Sequence, residues 1–65
     1  MRPVYRVYEA QVAGEKATFL VAMSDIREVS LRKEIARGER LMRLIRLVAE
    51  TDDRNAAREM ANCEM

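Results

Sequence analysis

The stretch "RLMRLIRLVAE", residues 40–50, decides the fold of this chain. It carries an arginine at every third position and a large aliphatic residue at most of the others. Read as a helix, the stretch has a clean apolar stripe formed by Leu41, Leu44, Ile45 and Val48, with Arg43, Arg46 and Glu50 on the opposite side. Read as a strand, it carries one arginine on each face, Arg43 on one and Arg46 on the other. By local pattern alone, the helix is favoured.

Upstream of this stretch, residues 4–12 and 17–23 predict a β-hairpin, because both are rich in Val, Tyr and Phe. A two-residue type II′ turn at Gly14-Glu15 suits the twist of a hairpin. This turn pairs Val12 with Ala17, Ala10 with Phe19, Tyr8 with Val21 and Arg6 with Met23. One face of the hairpin is then nearly all apolar, with Arg6 as its exception and Phe19 in the expected core.

A helix is predicted over residues 25–37. Ser24 or Asp25 supplies an N-terminal cap, and Gly38 follows as a residue suited to the left-handed conformation that ends many helices. The apolar residues of this helix do not form one stripe, since Leu31 and Ile35 lie on the side opposite Ile26. The helix is therefore either buried on two sides or exposes Leu31 and Ile35 to a partner.

The rest of the chain shifts the balance for residues 40–50. If they are helical, the hairpin remains a two-stranded sheet, which is only marginally stable in water. If they form a strand, the helix becomes a crossover and the sheet gains a third strand. The tail from residue 53 onward predicts a short Ala-rich helix capped by Thr51. The residues alone therefore leave two orders open for this chain, ββαβα and ββααα.

Two segments carry a resemblance to a group of known proteins: "ATFLVAMSD" (17–25) and "IRLVAETDD" (45–53). They resemble small phage- and plasmid-encoded proteins built as ββαβ with a trailing helix, among which some anti-CRISPR proteins are similar in size and architecture. This resemblance favours the strand for residues 40–50, and we therefore predict one α+β domain over residues 1–65 with the order ββαβα, and ββααα as the alternative. The resemblance implies a non-enzymatic inhibitor or adaptor from a phage or mobile element. Such a protein blocks a functional surface of a host protein or ribonucleoprotein complex in the bacterial cytoplasm.

The composition argues against enzymatic chemistry. The chain has no His and one Cys, and its two glycines stand apart, so the residue clusters of metal sites, catalytic bases and phosphate loops are missing. We expect no catalytic residues, no metal and no cofactor. Cys63 has no partner for an intrachain disulfide, and no apolar leader stands at the N-terminus, so a cytoplasmic location is expected. With 35% charged residues, a membrane span is not expected.

Two surfaces are candidates for binding a partner. The outer face of the sheet carries Tyr5, Val7 and Leu20, unless the C-terminal helix folds back and turns this face into core. The second surface is a series of five arginines: Arg32, Arg37, Arg40, Arg43 and Arg46. These side chains either form ion pairs with Glu34, Glu39 and Glu50 on a solvated face or contact a ligand. Of these, Arg40, Arg43 and Arg46 join the predicted partner-binding set.

The alternative function is a small dimeric nucleic-acid-binding regulator, in which the arginine series contacts phosphate. The net charge of only +1 lacks the strong positive field of a dedicated nucleic-acid binder. A second copy of the chain remains a candidate partner in either case, because a 65-residue domain has a small core.

Overall fold

The computed structural model describes residues 3–62. The elements follow in the order β1 (Tyr5–Val12), β2 (Thr18–Ser24), α1 (Asp25–Ala36), β3 (Met42–Thr51) and α2 (Arg54–Asn62). The strands form one antiparallel sheet in the order β2-β1-β3. The predicted ββαβα order is confirmed, and ββααα is wrong because most of the deciding stretch is strand β3.

The hairpin has the predicted register but a different turn. Ala10 pairs with Phe19 and Tyr8 with Val21, as expected. The turn, however, is closed by a hydrogen bond from Glu15 N–H to the Val12 carbonyl, 3.1 Å. Its central residues are therefore Ala13 and Gly14, and Gly14 holds the positive φ of 86° at the second of them. This is the arrangement of a type II turn, not the predicted type II′ turn at Gly14-Glu15.

Helix α1 begins and ends where its sequence signals lie. The Ser24 hydroxyl accepts a hydrogen bond from Arg27 N–H at 3.3 Å, which caps the N-terminus. At the C-terminus, Gly38 has a φ of 76° and donates to the Ile35 carbonyl, while Glu39 donates to the Glu34 carbonyl. This pair of bonds is the Schellman arrangement, in which a left-handed glycine closes the last turn.

Strand β3 pairs with β1 through two register shifts. These shifts explain how a strand accommodates arginines at every third position. Glu9 pairs with Arg46 but the next residue, Ala10, pairs with Leu44, which leaves Ile45 as an extra residue. A second shift, between Val7 and Tyr8, leaves Val48 extra. Each extra residue reverses the alternation of the faces that follows it.

As a result, Arg43 and Arg46 lie on the same face of the sheet, opposite Gln11 and Glu9. The prediction that each face carries one of these arginines is wrong. It assumed an unbroken alternation along the strand, which the bulges at Ile45 and Val48 interrupt.

The core between α1 and the sheet is small. Tyr8, Met23 and Leu31 form its buried centre, and a second group of partly buried side chains packs against them: Val21, Ile35, Met42 and Leu44. Leu31 and Ile35 therefore face the sheet and are not offered to a partner. The other stripe of α1 is exposed instead, with Ile26 at 82%.

Phe19 is 40% exposed, so its predicted place in the core is wrong. Helix α1 starts at the end of β2 and finishes near the start of β3, which lie at opposite edges and opposite ends of the sheet. The helix must therefore cross the sheet diagonally. The diagonal leaves one corner uncovered on each edge strand, at Phe19 on β2 and at Leu47 on β3.

Helix α2 packs on the opposite face of the sheet, against all three strands. Its cap is Asp53, whose Oδ1 accepts from Asn55 N–H at 2.9 Å. Thr51, the predicted cap, ends β3 and accepts from Asp53 N–H at 3.1 Å instead. The predicted apolar positions of the helix do turn inward: Ala56, Ala57, Met60 and Ala61 are all buried or half-buried. Cys63 lies outside the described residues.

Candidate binding surface

The outer edge of β3 exposes a group of large apolar side chains close together along one strand. With the order β2-β1-β3, no strand of residues 3–62 pairs with this edge. Near the middle of β3, Ile45 is 42% exposed, Leu47 49% and Val48 38%. Two of the three are the extra residues of the register shifts, and the third lies at the corner that α1 leaves open. We call Arg43, Ile45, Leu47 and Val48 the β3 edge surface; within it, Arg43 and Leu47 lie on opposite faces of the sheet, since they pair with Gln11 and Tyr8.

The arginines of β3 are held by side chains of the central strand. Arg43 donates to Gln11 Oε1 from Nη2 at 2.8 Å and from Nε at 3.2 Å. Arg46 Nε donates to Glu9 Oε1 at 3.2 Å. Both guanidiniums are therefore oriented along the sheet before any partner binds. Since Gln11 is neutral, Arg43 keeps its full positive charge, whereas that of Arg46 is partly neutralised.

Most of the arginine series is paired with glutamates. Arg32 lies 3.6 Å from Glu28, Arg40 lies 3.1 Å from Glu34, and Arg37 lies 4.0 Å from Glu39. Glu50 was expected to pair with an arginine of this series, but it binds Arg6 at 3.3 Å instead. Among residues 3–62, Arg43 is the member of the series with no carboxylate oxygen within 4.0 Å. The pairing with Glu34 and Glu39 agrees with the interpretation of a solvated, mixed-charge face.

Helix α2 covers part of the outer sheet face, which divides the predicted partner-binding residues. Val7 is 0% exposed and belongs to the core beneath α2, so it is removed from the candidate surface. Tyr5 and Leu20 are half-buried at the margins of the helix. Arg40, Arg43 and Arg46 are exposed beyond it. The structure thus brings Arg43 and Arg46 together and leaves Tyr5 at the other end of the sheet.

A groove of about 660 Å³ runs beside α2 on this face. Glu9, Thr18, Leu20, Arg46 and Arg58 contribute to its walls. The Arg46–Glu9 pair contributes to its lining, and Thr18 Oγ1 lies 3.4 Å from the same glutamate. Leu20 and other apolar residues line the rest, and this mixture suits a peptide or side chain better than a purely apolar ligand.

On the opposite face, Tyr8 joins a polar cluster at the margin of the core. Arg32 donates to the Tyr8 hydroxyl at 3.3 Å, and the centre of its guanidinium lies 5.5 Å from the ring centroid. Burial is the main cause that raises the pKa of Tyr8, and a hydrogen bond to Glu28 adds to it, while Arg32 acts in the other direction. The hydrogen bond to Tyr8 raises the pKa of Arg32 in turn.

Arg6, the exception on the apolar face of the hairpin, also has partners. It binds Asp25, lies 3.8 Å from Glu28 and binds Glu50 at 3.3 Å. The hydrogen bond to Asp25 is the main cause that raises the pKa of Arg6. The three acids come from α1 and β3, so the hairpin sequence alone could not indicate them.

The described residues hold no group of three or more His, Cys, Asp or Glu side chains that could bind a metal ion. Within the same residues, no helix is long and apolar enough to span a membrane.

Sequence reasoning missed the exposure of Ile45, Leu47 and Val48. The usable signal was the conflict between a three-residue repeat and a two-residue strand alternation in "RLIRLV", which a bulged strand resolves. The same reasoning also passed over Arg27, Arg54 and Arg58, because they lie in separate helices and form no pattern along the chain.

Comparison with known proteins finds no match for this chain, whether by family models, among curated proteins or among solved structures.

Proposed function

We propose that this chain is a non-enzymatic binding protein that docks on a protein of a larger bacterial host complex and covers a functional surface there. The finer proposal, which rests on the resemblance to anti-CRISPR proteins, is an inhibitor or adaptor encoded by a phage or mobile element and acting in the cytoplasm of the host cell. The docking site is the β3 edge surface, and the partner is a protein segment that adds to the edge of the sheet.

One observation carries this proposal: a ten-residue edge strand exposes three large apolar side chains within four positions. Exposed strand edges offer unpaired N–H and C=O groups to an added strand, and natural proteins protect such edges unless they are used. The apolar side chains beside the edge would give the added strand its hydrophobic contact. Clustered exposure of this kind is typical of interaction sites on small domains.

Arg43 adds charge to the same edge, on the sheet face opposite to Leu47. Its guanidinium is fixed by Gln11 on one side and keeps its net charge, so it can donate to a carboxylate of the partner with little further loss of side-chain freedom. Arginine next to apolar residues is a common composition for the centre of an interface. The preferred partner segment is therefore extended, apolar and flanked by an acidic residue.

The alternative of a nucleic-acid-binding regulator receives less support from the arginine series. Arg32, Arg37, Arg40 and Arg46 each lie within 4.0 Å of a glutamate oxygen, which lowers the positive potential that phosphates would meet.

The first test is affinity capture from bacterial lysate with three forms of the chain. Leu47→Asp places a charge on the β3 edge surface, and Ile26→Asp makes the same apolar-to-acidic change on the exposed side of α1. We expect the wild type and Ile26→Asp to retain the same host protein, and Leu47→Asp to lose it with at least about a tenfold fall in affinity. Equal retention by all three forms would overturn the docking site.

The finer proposal has its own test. Expressed in bacteria whose CRISPR systems target a phage, the wild-type chain should restore plaque formation in at least one system, and the Leu47→Asp variant should not. If every system stays immune while the host protein is still captured, the anti-CRISPR part is wrong and the binding proposal stands.

Sedimentation of the free protein tests the homodimer. A dimer that dissociates in the Leu47→Asp variant would assign the edge to a second copy of the chain.

A further inference from the structure

We propose that a cleft at the Tyr5 end of the sheet binds a phosphate group, as the free ion or as a phosphate monoester. The cleft has a volume of about 390 Å³ and lies where α1 and α2 both begin. The arginine cleft, as we call it, is defined by Tyr5, Ser24, Arg27, Arg54 and Arg58, and no carboxylate contributes to its lining.

The three arginines of the cleft stand apart from the others. Nine arginines lie within the described residues, and five of them are within 4.0 Å of a carboxylate: Arg6, Arg32, Arg37, Arg40 and Arg46. Arg43 binds Gln11. The remaining three make no side-chain hydrogen bond or ion pair with residues 3–62, and all three line this one cleft. The three arginines without a side-chain partner among residues 3–62 thus lie together in the arginine cleft.

Their positions also cost stability in the absence of a ligand. Arg54 is the first residue of α2 and Arg27 the third of α1, where the positive end of the helix dipole disfavours a cation. Arg54 and Arg58 are four residues apart on one helix, a spacing at which like charges repel. Local rules broken together at one place are typical of a functional site.

Two acids close to these arginines in sequence are occupied elsewhere. Arg6 binds Asp25, and Asp53 caps α2 through Asn55 N–H. The Ser24 hydroxyl already accepts from Arg27 N–H, so the start of α1 is capped before any ligand arrives. The three guanidiniums are therefore left for an external anion.

Phosphate fits this arrangement better than a single carboxylate does. A phosphate monoester carries close to two negative charges near neutral pH and three acceptor oxygens, and guanidinium groups match that geometry in pairs. The cleft offers three guanidiniums, with half-buried Tyr5 beside them as a wall.

The test is a titration of the protein with inorganic phosphate, followed by backbone amide NMR at constant ionic strength. We expect saturable shifts, with a dissociation constant in the millimolar range, confined to the residues around Tyr5, Ser24 to Arg27 and Arg54 to Arg58. Arg58→Gln and Arg54→Gln should weaken binding several-fold each. Arg37→Gln is the matched control, because Arg37 lies at the far end of α1 and pairs with Glu39.

Two results would overturn the proposal: linear shifts without saturation, or an equal loss of binding in Arg37→Gln. Repeating the titration with a phosphoserine peptide distinguishes the sources of the phosphate. Tighter binding of the peptide assigns the cleft to a phosphorylated partner, and equal binding assigns it to the free ion. If single-stranded DNA binds instead, with shifts that extend to Arg43 and Arg46, the monoester assignment is wrong.

Thermal unfolding gives a second check, and its measurement in phosphate-free buffer does not depend on the affinity. Without phosphate, Arg54→Gln should raise the unfolding temperature, because it removes a repulsive charge from the start of α2. With saturating phosphate, the wild type should gain more stability than the variant does. A variant that is less stable than the wild type in phosphate-free buffer would show that the arginines have a structural role, and this would contradict the proposal.

Discussion

Arg43 in β3 donates two hydrogen bonds to the side-chain amide oxygen of Gln11 in β1, from Nη2 at 2.8 Å and from Nε at 3.2 Å. The contact joins residues 32 positions apart in sequence. It holds a charged group on the α2 side of the same edge strand that exposes Ile45 and Leu47, with Leu47 on the α1 side, and the partner-binding proposal depends on this edge.

Arg43→Glu should separate folding from binding. Because the Arg43–Gln11 contact is exposed, we expect the free energy of unfolding to change by less than about 1 kcal/mol. Capture of the host protein should fall sharply, since the new charge repels an acidic partner. Urea denaturation checks the first expectation. Arg37→Glu is the control for the second, and if it impairs capture as strongly, general charge and not the β3 edge surface is responsible.

Phe19→Ala should destabilise the protein less than Leu31→Ala, although it removes more atoms. Phe19 is 40% exposed, and its truncation should cost roughly 2 kcal/mol, below the range of about 3–5 kcal/mol for a fully buried Phe. Leu31 is 6% exposed, and its truncation should cost about 3 kcal/mol. Urea denaturation of both variants gives the order. A larger loss for Phe19→Ala would show that the corner of the sheet at Phe19 is covered.

Gly38→Ala tests the end of helix α1. A Cβ at Gly38 meets no heavy atom within 4 Å, so the expected cost comes from the φ of 76° alone. We expect a loss of about 1 kcal/mol, and a smaller one for Gly38→Asn, because Asn tolerates the left-handed conformation better than Ala. Thermal or urea unfolding checks both. Equal stability of wild type and Gly38→Ala would mean that the Schellman turn is not required.

Ionisation of Tyr8 should lower the free energy of unfolding at alkaline pH. Burial raises the pKa of Tyr8 above its ordinary value of 10.0. The folded state therefore holds the phenol proton more tightly than the unfolded state does. The resulting stability is fully present below pH 10, and it is lost as the pH rises through the raised pKa.

The measurement is the free energy of unfolding from pH 9 to pH 12 for the wild type and Tyr8→Phe. The wild type should lose stability more steeply above pH 10, by at most about 1.4 kcal/mol per pH unit for one group. Tyr5→Phe is the control, because it leaves the Tyr8 contacts in place. Parallel curves for the wild type and Tyr8→Phe would contradict the expectation.

Local signals were sufficient for the parts of the fold that local contacts stabilise. The hairpin register followed from the alternation of residues 4–12 and 17–23, and it was right even though the turn was assigned one residue too late. The limits of α1 followed from Ser24 and Gly38, because a cap and a left-handed glycine act within one turn of helix. The tail helix was expected, but its cap moved from Thr51 to Asp53.

The candidate site was less accessible to sequence reasoning. Tyr5, Val7 and Leu20 share a face by simple alternation, yet only the position of α2 shows that Val7 is buried and that Tyr5 lies by the arginine cleft. The partner of Arg43 is an amide in β1, and those of Arg6 are acids in α1 and β3. Such contacts join residues far apart along the chain, and no spacing rule predicts them.

The sequence by itself thus determined the hairpin, the tail helix and the residues that begin and end α1, since each depends on interactions within a few positions. The local pattern of residues 40–50 favoured a helix, and pairing with β1 makes most of this stretch a strand. The tertiary structure decided which side of β3 each residue faces. Two bulges against β1 bring Arg43 and Arg46 to one face and expose Ile45 and Val48 at the edge. Their positions depend on how the whole strand fits its neighbour and the two helices, a balance of packing over the domain that no short window of sequence contains.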